Sequence, residues 1–278
     1  MKIFYMPEQT AQNATSFSPS AGKPAQVVKR WLRLDRDADV CGFDPLTRAD
    51  LALAHDRAYV NAVLDLKAVN GFGNRDADVA ASLPYTTGSF YAAVEHAYRT
   101  KESAASPTSG FHHAGYNSGG GFCTFNGLMI AAQKLRREAG RIDVGILDLD
   151  CHFGDGTDNI IHRLSLDYIT HYTFGGARVN RSNAAEWLKR DLPIVLAAFG
   201  SCDVVLYQAG ADPHVDDPLG GVLTTKQLYE RDRLVFGTLA KMGVPVAWNL
   251  AGGYQTPLSK VLKIHDNTAR AFLKGSKR

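Results

Sequence analysis

Three carboxylates and an imidazole crowd the segment Asp148-Leu149-Asp150-Cys151-His152-Phe153-Gly154-Asp155-Gly156-Thr157. It follows Val144-Gly145-Ile146-Leu147, an apolar run that reads as a short buried parallel strand. Open α/β sheets place their sites at the C-terminal ends of such strands. Alternation along an extended chain sends Asp148, Asp150 and His152 to one side, where a carboxylate and an imidazole two residues apart can meet one divalent ion. A strand end followed by a polar turn, its Asp residues capping a helix, would produce the same local pattern. A second apolar run, Val204 to Gln208, leads to Asp212-Pro213. Asp-Pro alone signals a turn, but a carboxylate at an equivalent strand end completes a set. Asp150, His152 and Asp212 offer the three protein ligands that a catalytic zinc commonly has.

Further segments carry chemistry-bearing residues in unusual company. His112 and His113 stand in tandem in Gly110-Phe111-His112-His113-Ala114, and Gly119-Gly120-Gly121-Phe122-Cys123-Thr124-Phe125-Asn126 follows. Glycine lets backbone approach a ligand closely. Tyr254 follows Gly252-Gly253, which permit a tight turn.

Strand and helix patterns alternate around these segments. They predict an α/β, three-layer αβα fold with a mainly parallel sheet, residues 1–278 forming one domain. Strands are expected at Ile3 to Met6, Val144 to Asp148, Tyr168 to His171, Val204 to Gln208 and Val244 to Leu250. Helices are expected over 25–32, 48–54, 58–66, 89–99, 126–138, from about Thr157, over 184–198 with a break at Pro193, over 225–241 and over 258–273. Residues 8–24 and 69–86 read as loops, the latter broken at Gly71, Gly73 and Asn74.

Hydrophobic residues at 45% and charged residues at 21% suit a globular chain, and a net charge of +3 without a basic run argues against nucleic acid as a partner. No apolar stretch is long enough to span a bilayer, which argues against a membrane partner. Cys41, Cys123, Cys151 and Cys202 are scattered, and the first residues lack a signal-peptide core; together these predict a cytoplasmic location.

Taken in order, the four motifs between about residues 110 and 255 resemble the histone deacetylase and acetylpolyamine amidohydrolase family, which has the arginase/deacetylase-like fold. Ala54 to Val60 and Thr87-Gly88-Ser89 resemble it more weakly. The resemblance implies Zn2+ on Asp150, His152 and Asp212, and K+ as a structural ion near Asp148, Asp150 and His152. It makes His113 the general base and acid and His112 its electrostatic partner, with Asp148 oriented on His112 and Asp155 on His113. Tyr254 becomes the donor to the substrate carbonyl oxygen. Gly121 and Phe122 become a wall of the substrate tunnel, with Phe174 a candidate for the opposite wall. The implied activity is a zinc-dependent deacetylase acting on an acyl amine, either a small molecule or a peptide carrying acetyl-lysine.

The chain departs from the family at several points. Phe153 replaces the second His that usually follows the ligand His. The span from His152 to Asp212 is short, and the Gly-rich segment leading to an Asn-x-Pro-Leu strand is not recognisable. A short span removes rim material and predicts an open mouth, which the 69–86 segment could refill from its own chain or across a homodimer. Asp76 and Asp78 are candidates for the substrate-orienting acid. Three other readings stand beside the first: an acetylpolyamine deacetylase, an arginase-like ureohydrolase with two metals, and a catalytically silent acyl-amine binder.

Overall fold

All seven residues of the strand Val204–Gly210 are buried, and they alternate between two cores. Val204 and Leu206 pack into one core, and Val205, Tyr207 and Ala209 into the other. A strand covered on both faces reads as a continuous apolar run, and this one is central to the fold. The computed structural model describes residues 1–11 and 16–275.

The elements in chain order are β1 (Lys2–Phe4), α1 (Lys23–Leu34), β2 (Asp39–Cys41), α2 (Arg48–Leu51), α3 (Arg57–Leu64), α4 (Ala77–Thr100), β3 (Ala104–Ala105), α5 (Gly127–Ala139), β4 (Val144–Asp148), α6 (Asp155–Leu164), β5 (Ile169–Thr173), α7 (Ala184–Glu186), α8 (Leu192–Ala197), β6 (Val204–Gly210), α9 (Thr225–Met242), β7 (Val246–Ala251) and α10 (Ser259–Gly275). The strands form one sheet in the order β2-β1-β3-β7-β6-β4-β5, and every pairing is parallel. Helices α1, α8, α9 and α10 bury Trp31, Leu196, Phe236 and Phe272 against one face. Helices α3, α4, α5 and α6 bury Val60, Phe90, Leu128 and Ile160 against the other. The result is the three-layer α/β arrangement, with a sheet parallel throughout.

Local signals explain most element ends. Asp76 accepts hydrogen bonds from the N–H groups of Asp78 and Val79, and Asn126 accepts one from Met129, so each starts its helix as an N-cap. Gly243 ends α9 with φ of 76°, where a side chain would be strained.

Three expectations change. The predicted 69–86 loop is a loop only up to Asp76. From Ala77 the chain is α-helical straight through Pro84, because Val79 and Leu83 gain burial and Asp76 caps the start. Within 184–198 the chain passes through a π-helical turn, Trp187–Asp191, just before Pro193. The predicted 8–24 loop contains a 3₁₀ turn at Pro7–Gln9 and gives way to α1 at Lys23; its residues 12–15 lie outside the described residues. Among the described residues, no helix is long and apolar enough to cross a membrane.

Candidate active site

Four adjacent strands, β3, β7, β6 and β4, deliver the candidate residues at their C-terminal ends. The His112-His113 loop follows β3, Tyr254 follows β7, Asp212 follows β6, and Asp148 closes β4. The strand ends align because β4 and β6 pair from Val144 with Val204 to Asp148 with Gln208.

Asp150, His152 and Asp212 each present one ligand atom, and the three atoms lie within 4.8 Å of one another. His152 Nδ1 is 3.0 Å from Asp150 Oδ1 and 2.9 Å from Asp212 Oδ2. Asp212 Oδ2 is buried yet accepts no hydrogen bond. An orphaned carboxylate oxygen facing a second carboxylate and an imidazole suits a divalent cation. Burial, reinforced by the Asp150 carboxylate, pushes the Asp212 pKa up to about 7. The carboxylates of Asp150 and Asp212, 3.0 and 2.9 Å from Nδ1, raise His152 to about 11. Both shifts express surplus negative charge in a buried cluster.

Beside this cluster stand two His–Asp pairs. His112 Nδ1 is 2.6 Å from Asp148 Oδ2, and His113 Nδ1 is 2.6 Å from Asp155 Oδ1. The imidazole rings are neighbours, tilted by 51° with centroids 4.1 Å apart. Their electrostatics differ. Burial opposes charge on His112, but the Asp148 and Asp150 carboxylates outweigh it and lift the pKa to about 9. Burial and the neighbouring His112 charge lower His113, with Asp155 offsetting only part of the shift. The two imidazoles thus differ: the carboxylates beside His112 favour its charged form, and burial favours the neutral form of His113. With Asp155 accepting from Nδ1–H, neutral His113 carries its lone pair on Nε2.

His112, His113, Gly121, Phe122, Asp150, His152 and Tyr254 line one pocket of about 20 Å3, room for a single water. Gly121 has φ of 52°, and a Cβ there would lie 2.4 Å from His113 Cδ2, so the glycine is what lets the loop cover the imidazole. Phe122 itself adopts a left-handed φ of 65°, a strained conformation for an aromatic residue. Tyr254 N–H donates to Asp217 Oδ2 at 2.7 Å. Burial and the charges of Asp212 and Asp150 push the Tyr254 phenol well above its ordinary pKa, so it stays a hydrogen-bond donor.

Three sequence candidates fall elsewhere. Phe174 is buried and packs edge-on against Trp187 with centroids 4.8 Å apart, so it is core rather than tunnel wall. Phe17 instead faces Phe122, edge-on at 5.1 Å, and its ring is 6.2 Å from that of Tyr254. Asp76 spends its carboxylate on capping α4, and Asp78 sits in that helix's first turn.

Sequence reasoning also passed over a supporting set. Gln208 Nε2 donates to Asp148 Oδ1 at 2.9 Å, and its Oε1 accepts from Phe111 N–H at 2.8 Å, which ties the His loop to β4. A polar residue closing the apolar run Val204 to Tyr207 was the signal for it. His55 accepts from Asn126 N–H at 2.8 Å through Nε2 and contacts the Gly115 carbonyl at 2.8 Å through Nδ1. Burial drops its pKa to about 4, so it bridges the two loops as a neutral ring.

The profile of the histone deacetylase domain matches residues 21–173 and 176–269. The chain belongs to the histone deacetylase domain family. It is 26% identical to a probable deacetylase of Methanothermobacter thermautotrophicus, over 91% of this chain and 86% of that protein. It is 32% identical to an uncharacterised protein of Picosynechococcus over 60% of this chain and 61% of that protein. It is 27% identical to the acetylpolyamine amidohydrolase of Mycoplana ramosa over 52% of this chain and 50% of that one. The crystal structure of the HDA15 HD domain superposes with a TM-score of 0.78 at 18% identity, covering 99% of this chain and 90% of that one, a likeness of fold.

Proposed function

We propose that this chain is a zinc-dependent deacetylase that hydrolyses acyl amines of the acetyl-lysine type. The observation that carries the reading is the convergence of a three-ligand cluster, two His–Asp pairs and Tyr254 on one pocket. Asp150, His152 and Asp212 would hold the metal; among the described residues they are the group of three brought within ligand distance. One metal site fits this chemistry better than the two that an arginase-like ureohydrolase needs. When bound, the metal supplies Lewis-acid polarisation of the carbonyl and an acidified water.

The chain's own residues do the rest. Neutral His113 takes a proton at Nε2 as water attacks the acyl carbon. His112, kept charged by Asp148, stabilises the negative charge that develops. The Tyr254 phenol donates to the carbonyl oxygen as it becomes an oxyanion. The C–N bond then breaks, protonated His113 returns its proton to the leaving amine, and carboxylate and free amine are released.

The mouth favours an aliphatic arm. Phe17, Phe72 and Tyr254 surround the ring of Phe122, with Phe72 at 5.7 Å and Tyr254 at 5.6 Å. Asp150 is the only carboxylate lining the pocket among the described residues. An aromatic rim can still hold a cation over its faces, which keeps the acetylpolyamine reading as the second. Rates on acetyl-lysine peptides, N-acetylputrescine and acetylspermidine, measured side by side, test the choice. Peptides are expected to turn over at least tenfold faster, and a strong polyamine preference would reverse the assignment. A K+ ion near Asp148, Asp150 and His152 belongs to the same proposal, as does a cytoplasmic location.

Phe17 is 74% exposed and would be covered by the substrate arm. Burying part of an aromatic ring is worth on the order of 1 kcal/mol. Phe17→Ala should therefore raise KM about five- to tenfold and leave kcat within twofold, the signature of lost uniform binding. A lower KM would show that Phe17 obstructs the slot rather than lining it.

A further inference from the structure

The first residue of α1 is a lysine with no exposed surface. The Lys23 ammonium donates to the Gly252 carbonyl at 2.7 Å. Gly252 has φ of 51° and packs so closely on Asp212 that a Cβ would lie 2.4 Å from the carboxyl carbon. Gly253 follows with φ of 92°, and then comes Tyr254, whose N–H is held by Asp217. The turn that carries the phenol is therefore pinned at both ends, by a cation on its first carbonyl and by a carboxylate on its last N–H.

Fold stability does not account for a lysine here. Removing an ammonium from water costs several kcal/mol, and an apolar side chain of similar volume is commonly as stable. Burial pushes the Lys23 pKa down to about 8, while Asp212, Asp150 and Asp217 work to keep it charged. The positive charge thus sits behind the carboxylate cluster, on the side where the Tyr254 turn begins.

We propose that Lys23 is a positioning residue for Tyr254, fixing the Gly252 carbonyl so that the turn presents the phenol to the reacting carbonyl. The inference rests on the reading of Tyr254 as oxyanion donor. A misplacement of about 1 Å can cost a hundredfold in rate. Lys23→Met should lower kcat about 10- to 100-fold, with KM within twofold and metal content unchanged. In a Tyr254→Phe background the same substitution should cost less than threefold, because the group it positions is gone. Equal losses in both backgrounds, or an unchanged kcat in K23M, would overturn the assignment. If K23M does not fold, Lys23→Arg keeps the charge on a different arm and carries the same cycle, with a three- to tenfold loss expected only where Tyr254 is present.

Ring-labelled tyrosine NMR gives a readout independent of turnover. The Tyr254 resonance, assigned by its absence in Y254F, should shift or broaden in K23M while that of Tyr91 stays put. An unmoved Tyr254 signal overturns the proposal. A wild-type chain inactive on every acyl amine would sink the functional reading instead, and the Tyr254 signal would still decide the role of Lys23.

Discussion

Asp212→Ala should bind less than a tenth of the zinc that the wild-type chain binds, roughly one ion per chain, and lose at least a thousandfold in kcat/KM. Asp212 is fully buried, and its Oδ2 has no donor of its own. Its other oxygen, Oδ1, accepts from Cys151 N–H at 3.2 Å and so also shapes the loop that presents His152. Alanine removes one of three ligands and that loop contact together. Folding need not suffer, because the substitution also removes one of two like charges buried side by side. Zinc should therefore separate the two proteins by thermal melting. A ligand at a hundred times its Kd stabilises the folded state by about 2.7 kcal/mol, so the wild type should melt several degrees higher with zinc while the variant stays still. Full zinc occupancy in Asp212→Ala, by elemental analysis, would mean that other residues hold the metal.

The parts of the site legible in the sequence are those where chemistry and secondary structure share one signal. Val144 to Leu147 is apolar because β4 is covered on both faces, and the polar residues begin where the strand leaves the cover. The same reasoning places Asp212 after β6 and Tyr254 after β7. The tandem histidines needed the resemblance to acquire roles, but the pairing of His112 with Asp148 and of His113 with Asp155 is now visible as geometry. Contacts between distant segments left no local trace. Phe17 meets Phe122, and Lys23 meets Gly252, 229 residues later, only because the fold brings the chain at the start of α1 against the loops that follow β3 and β7. Phe174 was misplaced for the converse reason: an aromatic just after a strand suits a pocket wall or a core equally, and Trp187 decides for the core. Only residues 89–99 of helix α4 are expected from the sequence, because the breaks at Gly71, Gly73 and Asn74 carry the loop reading on to residue 86, and Pro84 inside the helix disfavours it further. Burial of Val79, Leu83 and Phe90 outweighs the lost hydrogen bond. Strands β2 and β3 have three and two residues, too short to show a period.

Tyr254→Phe should lower kcat by about 10²- to 10³-fold, the usual loss when one oxyanion donor is removed. KM should stay within about threefold and zinc content should be unchanged. A ground-state carbonyl oxygen carries only a partial charge, whereas the oxyanion carries nearly a full one, so the phenol's hydrogen bond strengthens as the reaction proceeds. Loss of an interaction of that kind appears in kcat and kcat/KM together. The loss should also be independent of pH across the neutral and mildly alkaline range. Burial and the carboxylates of Asp212 and Asp150 keep the phenol protonated well beyond its ordinary range, so its ionisation adds no alkaline limb to the wild-type profile. The backbone of the turn is anchored through Asp217 and Gly252, neither of which touches the phenolic oxygen, so Phe should occupy the same position as Tyr. A variant with wild-type kcat would exclude the phenol as oxyanion donor and leave that work to the metal and His112. A rise in KM with kcat intact would instead make Tyr254 a substrate-binding wall alongside Phe17 and Phe122.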